Sequence, residues 1–366
     1  MSARTSLVAA AVLVLAVAVV AALSEPRADE APRLAAQVID AGAPGVLVQV
    51  RNRGKTRTIV EGVADTAPRR LIGSGDRFRV GSVTKTFVAA VVLQLVAEGR
   101  IGLEDTVDEW LPGLVPNGEA ITIRQLLAHR SGLYDYVEDE RVFAPYEQDP
   151  RHAWSPRALV ELAVTHPSPF RPGERYAYSS TNYLLLELIV ERASGTSLER
   201  QLEERIIEPL GLEGTSFEPD VVPGPYIHGH RPPSHQGIVT GPPRDTSDEA
   251  ASWTWGAAAI VSTADDVRRF FHALLRGRLL PPAQLRNMET LVPAGSLRYG
   301  LGLAVFPTPC GDAWGHTGNA QGTITVAWNT RDASRQAVVV VNAYPLTGEL
   351  EDAVRRLQLS AFCGID

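Results

Sequence analysis

The run SVTKTFVAAVVLQLV, residues 82–96, decides the fold. From Phe87 to Val96 every position except Gln94 is apolar, and Gly99 follows as a helix stop. A helix apolar on all its faces belongs in the middle of a protein, and this one is too short to span a membrane. Ser82 and Lys85 open the run and are placed on the first turn, where free backbone N–H groups favour developing negative charge. Lys85 is one of only two lysines, with Lys55, in a chain that otherwise takes its positive charge from arginine. Base composition of the gene accounts for much of that bias. Yet guanidinium cannot lose its proton inside a protein, whereas a desolvated ammonium can. A serine one turn before such a lysine has the layout of a nucleophile beside its proton acceptor.

Outward from this helix the pattern changes twice. Ala31–Asp40 reads as a short helix, and Gly45–Val50 with Arg57–Gly62 read as strands joined by a turn at Asn52-Arg53-Gly54. Residues 105–201 are helical and rich in loops. Ser155-Pro156 starts one helix, Asn182–Ala193 forms another, and Thr196-Ser197-Leu198-Glu199 is a capping box. Residues 223–243 are rich in proline and glycine and read as loop. Ser262-Thr263-Ala264-Asp265 caps a helix running to Arg276, Gly322–Asn329 and Ala337–Asn342 read as strands, and Leu350–Phe362 as a closing helix. Strands near both ends with helices between predict an α/β (α+β) fold: one antiparallel sheet built from both termini, flanked by helices, with an inserted mainly helical region. On this reading 31–81 and 255–366 form the α/β region, and 82–254 form the helical one.

Composition excludes some function classes. A net charge of −7 and no basic block longer than two residues argue against a nucleic-acid partner. Arg4 followed by the uninterrupted apolar stretch Leu7–Leu23 reads as a secretory signal over residues 1–24, which makes the expected location extracellular. The alternative is an uncleaved signal anchor that holds the protein to the cell membrane. Cys310 and Cys363 are the only cysteines, an even number in a chain read as exported. A disulfide between them would staple the C-terminal helix to the preceding strand region and contribute roughly 3–4 kcal/mol. Two unrelated buried thiols are the alternative. His228, His230 and His235 have a spacing that could suggest a metal, but no carboxylate or cysteine set surrounds them in sequence, and no metal or cofactor is expected.

Two further segments carry chemistry. Tyr176-Ala177-Tyr178-Ser179-Ser180-Thr181-Asn182 sets tyrosines in a polar turn before a helix, and Gly315-His316-Thr317-Gly318-Asn319 precedes an apolar strand. With Ser82-Val83-Thr84-Lys85, these three segments in this order resemble the penicillin-recognising serine hydrolases. The likeness is to class C β-lactamases and the secreted D-alanyl-D-alanine carboxypeptidases of streptomycetes. It extends over Leu126–Leu133, Tyr299-Gly300-Leu301-Gly302 and both cysteines, and so covers nearly the whole mature chain.

The resemblance implies an acyl-enzyme on Ser82, with Lys85 and Tyr178 sharing the proton traffic and either of them able to be the base. It implies an oxyanion hole from the backbone N–H groups of Ser82 and Asn319, beside Gly318. His316 would hold the tyrosine and supply positive potential, Thr317 would bind the substrate's polar end, and Trp253 with the 223–243 loop would wall the cleft. A small-molecule or cell-wall peptide substrate, β-lactams as covalent ligands and a monomer are expected. Two departures matter. Ser180 stands where an asparagine is usual, and Ala304 and Asn319 stand where the carboxypeptidases hold the peptide carboxylate with arginine and threonine. The expected function is therefore a D-alanyl-D-alanine carboxypeptidase-like hydrolase. The alternatives are an esterase or amidase on uncharged acyl groups and a weakly catalytic cell-wall binding protein.

Overall fold

The segment GVLVQVRN is apolar at most positions because the strand it forms, β1 (Gly45–Asn52), is covered on both faces. In the computed structural model this strand lies inside a nine-stranded antiparallel sheet. Residues 30–364 are described, except 221, 233, 236, 237, 240 and 347, and of residues 147, 234, 235, 238 and 239 only the backbone is. The expected signal, residues 1–24, lies outside the described residues, as does the side chain of His235. No helix among the described residues is long and apolar enough to cross a membrane.

Three strands come from the start of the chain: β1, β2 (Lys55–Thr66) and β3 (Arg69–Leu71). Six come from its end: β4 (Val292–Ala294), β5 (Leu297–Tyr299), β6 (Ala304–Thr308), β7 (Gly311–Ala320), β8 (Thr323–Asn329) and β9 (Arg335–Val341). Their order across the sheet is β4-β5-β6-β7-β8-β9-β1-β2-β3. The two groups join at one seam, where β1 pairs with β9 from Val46 opposite Val341 to Asn52 opposite Arg335. This is the antiparallel sheet built from both ends that the sequence predicts.

Alternation along the strands feeds two cores. Val46, Val48 and Val50 of β1 and Val339 and Val341 of β9 share one with Leu34 and Val38 of α1 (Glu30–Asp40) and Val354 and Leu357 of α5 (Gly348–Cys363). Leu47, Val338 and Val340 belong to the other. There α2 (Thr84–Ala97) and α4 (Ala264–Leu275) meet through stacked Phe87 and Phe270, whose ring centroids are 3.5 Å apart. α2 is buried all round, as its composition requires. Beyond its first turn the one polar residue, Gln94, donates to the Leu279 carbonyl at 3.0 Å, which satisfies an amide that burial would otherwise penalise. The inserted region packs on α2, chiefly through α3 (Thr181–Ser194).

Two local expectations change. Ser82 is not on the first turn of α2: Gly81–Val83 form a 3₁₀ turn that leads into the helix at Thr84. The 223–243 stretch is not all loop, since His230–Arg231 pairs with Arg244–Asp245 and Ser234–His235 pairs with Ile238–Val239. The cysteines pair as expected: Cys310, in the turn between β6 and β7, is bonded to Cys363 of α5.

Candidate active site

The site begins where β7 crosses the 3₁₀ turn at van der Waals contact. Only glycine permits this. Gly81 has φ +57°, and a Cβ there would fall 2.5 Å from the Asn319 nitrogen. A Cβ on Gly318 would fall 2.0 Å from the Val80 carbonyl oxygen and 2.8 Å from the Ser82 nitrogen. The backbones of Ser82 and Asn319 therefore lie side by side at the wall of a cavity of about 350 Å³. Lys85, Asp135, Tyr136, Tyr178, Ser180 and Trp253 also line it.

Lys85 is fully buried. Its Nζ donates to the Ala257 carbonyl at 2.9 Å and to Ser82 Oγ at 3.1 Å, with Ser180 Oγ at 3.5 Å. Burial pushes its pKa from 10.5 down to about 7, against the pull of the Asp135 carboxylate in the other direction. The Tyr178 hydroxyl also bonds Ser82; the residue is 37% exposed, but desolvation around its hydroxyl still raises its pKa above the usual phenol value. At neutral pH the amine, and not the phenol, is the group that can be unprotonated.

The other expected site residues divide. Ser180 reaches Lys85 as a short hydroxyl at the start of α3, while Asn182 turns away: its Oδ1 accepts from Ser131 Oγ at 2.6 Å and its Nδ2 faces His129 Nδ1 at 3.2 Å. Trp253 and, from the 223–243 stretch, Arg231 both line the cavity. Thr317 and Gly318 lie on β7 behind this wall, and Asn319 rather than either of them faces the cavity.

His316 departs from expectation. Its Nε2 accepts from the Tyr299 hydroxyl at 2.9 Å and its Nδ1 donates to the Thr317 carbonyl at 2.5 Å. Burial pushes its pKa down to about 4, so it is neutral and supplies no positive potential at neutral pH. Nor does it hold Tyr178. The ring against Tyr178 is His129, at 4.2 Å between centroids, and burial keeps that imidazole neutral too. Ala304 is buried at the head of β6 in a small cluster with Tyr299 and Tyr176, away from the cavity.

Sequence reasoning missed Asp135. It follows the Leu126–Leu133 segment directly, within Tyr134-Asp135-Tyr136, and the only local signal was its suitability as a turn cap, which it is: its Oδ1 accepts from the Val137 N–H. Burial raises its pKa, with Lys85 and the N–H groups of Ser180 and Val137 opposing. Of the three histidines whose spacing could suggest a metal, His228 and His230 have different partners, and the side chain of His235 lies outside the described residues. His230 is buried against Thr66, while His228 stands between Asp245 at 2.6 Å and Asp65 at 3.8 Å. The fold brings one possible ligand atom each from Asp65, His228 and Asp245 within 4.8 Å of one another, a grouping that could hold a metal ion and that the sequence did not show, and hydrogen bonding to Asp245 raises the His228 pKa.

Residues 22–361 match the Beta-lactamase family. The chain belongs to the beta-lactamase family. Its members include serine hydrolases such as a D-aminopeptidase, D-alanyl-D-alanine carboxypeptidase-like proteins and an esterase. A D-stereospecific amidohydrolase from Streptomyces is 33% identical and superposes with a TM-score of 0.83, covering 93% of this chain and 100% of that one. Penicillin-binding protein 4* of Bacillus subtilis is 28% identical over 80% of this chain and 66% of its own length. A putative D-alanyl-D-alanine carboxypeptidase of Escherichia coli is 27% identical over 72% of this chain and 68% of its own length. The chain spans about half to two thirds of the first curated family relatives it matches.

Proposed function

We propose that this protein is a D-stereospecific amidohydrolase that cleaves amides and short peptides on the carbonyl side of a D-residue through an acyl-enzyme on Ser82. One observation carries the chemistry: a buried amine, its pKa lowered to about 7, stands 3.1 Å from the Ser82 hydroxyl. In its neutral form Lys85 takes the Ser82 proton as Oγ attacks the substrate carbonyl. The adjacent N–H groups of Ser82 and Asn319 receive the oxyanion. Tyr178, bonded to Ser82, relays the proton to the leaving nitrogen, and water then attacks the acyl-enzyme with the same base.

Whole-length likeness to the Streptomyces amidohydrolase supports this substrate class. So does Ala304, buried and without a charge, which supplies no cation for a peptide carboxylate where the carboxypeptidases have arginine. The carboxypeptidase reading ranks second. One observation favours it: the Arg231 guanidinium lines the same cavity from another element. Export belongs to the proposal as well, supported by the apolar run Leu7–Leu23 and by the paired cysteines.

The test is steady-state kinetics on D- and L-phenylalanine amide and on diacetyl-Lys-D-Ala-D-Ala, with intact mass after exposure to a nitrophenyl ester. A D over L preference of about tenfold or more is expected, with the acyl mass on Ser82 and absent in Ser82→Ala. Turnover of the diacetyl peptide above the D-amide would promote the second reading. An acyl mass that survives Ser82→Ala would end both.

A further inference from the structure

We infer that Asp135 binds a free ammonium on the acyl side of the substrate, so that the enzyme selects D-aminoacyl groups whose α-amine is unblocked. This rests on the amidohydrolase reading and names the residue and the charge on which its selectivity depends. Asp135 is 9% exposed and lines the cavity that holds Ser82 and Lys85. Its carboxylate accepts the N–H groups of Val137 and Ser180, which uses two of about four acceptor positions.

The charges in the cavity favour an incoming cation. Lys85 must be neutral to take the Ser82 proton, and it then offers Asp135 no counter-charge. Arg231, the other cation lining the cavity, pairs with Glu249 at 3.2 Å. A buried carboxylate without a partner is costly, and a substrate ammonium would supply the partner at the step where the protein's own is withdrawn. An α-ammonium stands one carbon from the carbonyl that Ser82 attacks, so one small cavity can hold both. Tyr136, Phe143 and Trp253 give the rest of the lining an aromatic character suited to an apolar side chain.

The experiment compares kcat/KM for D-phenylalanine amide and N-acetyl-D-phenylalanine amide, with the unaltered enzyme, Asp135→Asn and Asp135→Glu. The unaltered enzyme is expected to prefer the free amine by about tenfold or more. Asp135→Asn should bring the ratio to about one, and Asp135→Glu should keep part of it. If Asp135 only caps the turn at 136–138, both substrates lose equally and the ratio survives, which overturns the inference. Hydrolysis of the acetylated amide alone would sink the inference and leave the amidohydrolase reading standing. Failure on both amides would sink the two together. Should Asp135→Asn not fold, inhibition of nitrophenyl acetate hydrolysis by D-phenylalaninol and by its N-acetyl form decides on the unaltered protein. Equal inhibition by the two refutes the ammonium site.

Discussion

Acid should silence the enzyme through Lys85. An amine with a pKa of about 7 is neutral in about one molecule in ten at pH 6, and about one in a hundred at pH 5. The value of kcat/KM reports the free enzyme, so it should fall tenfold for each pH unit below 7. The assay is hydrolysis of a substrate without ionisable groups, such as nitrophenyl butyrate, followed from pH 5 to 9 in buffers of constant ionic strength. Lys85→Arg keeps the charge and the length but cannot supply a free base, so it should lose about a hundredfold or more at every pH. The same burial has a stability signature. Between about 7 and 10.5 the folded amine binds fewer protons than the unfolded one, so unfolding free energy rises with pH across that window. The full penalty, on the order of 5 kcal/mol, is present below it. Lys85→Met should therefore raise the melting temperature more at pH 6 than at pH 9. A flat activity profile down to pH 5, or near-normal rates in Lys85→Arg, would refute the assignment of Lys85 as base.

Two further outcomes follow from packing. Gly318→Ala puts a methyl 2.0 Å from the Val80 carbonyl, so acylation should be lost along with several degrees of melting temperature; calorimetry and ester kinetics on the variant check both. Replacing Cys310 and Cys363 by serine frees a loop with a sequence separation of 53 residues, worth roughly 4 kcal/mol in the chain-entropy model, and should lower the denaturant midpoint without moving kcat/KM.

What the chain discloses by itself follows a physical line. Lys85 was legible because an uncommon residue type sat one turn from a serine at the start of an all-apolar helix, and both signals are local. The sheet was legible where strands are apolar runs, as at Gly45–Asn52 and Arg335–Val341. It was not legible at Gly311–Ala320, whose sequence GDAWGHTGNA has little strand propensity and is held by pairing with β6 and β8. The partner of His316 could not be read either, because Tyr299 comes from two strands earlier and only the folded sheet brings them together. Asp135 was hidden for another reason: an aspartate before a turn looks like a cap, and this one is a cap that also faces the cavity.

The seam between β1 and β9 has a consequence for how the chain is made. Val46 and Val341 pair across about 295 residues of intervening sequence, so the two halves of the sheet cannot meet until nearly the whole chain is available. The loop-closure entropy for the seam must be met before any pairing there rewards it. Until then β1 has an unpaired edge made of Gly45-Val46-Leu47-Val48, a segment suited to adding a strand from another chain. Synthesis and folding are therefore in competition with aggregation at this one edge, and truncations that remove Arg335–Val341 should yield insoluble chains rather than a smaller folded protein.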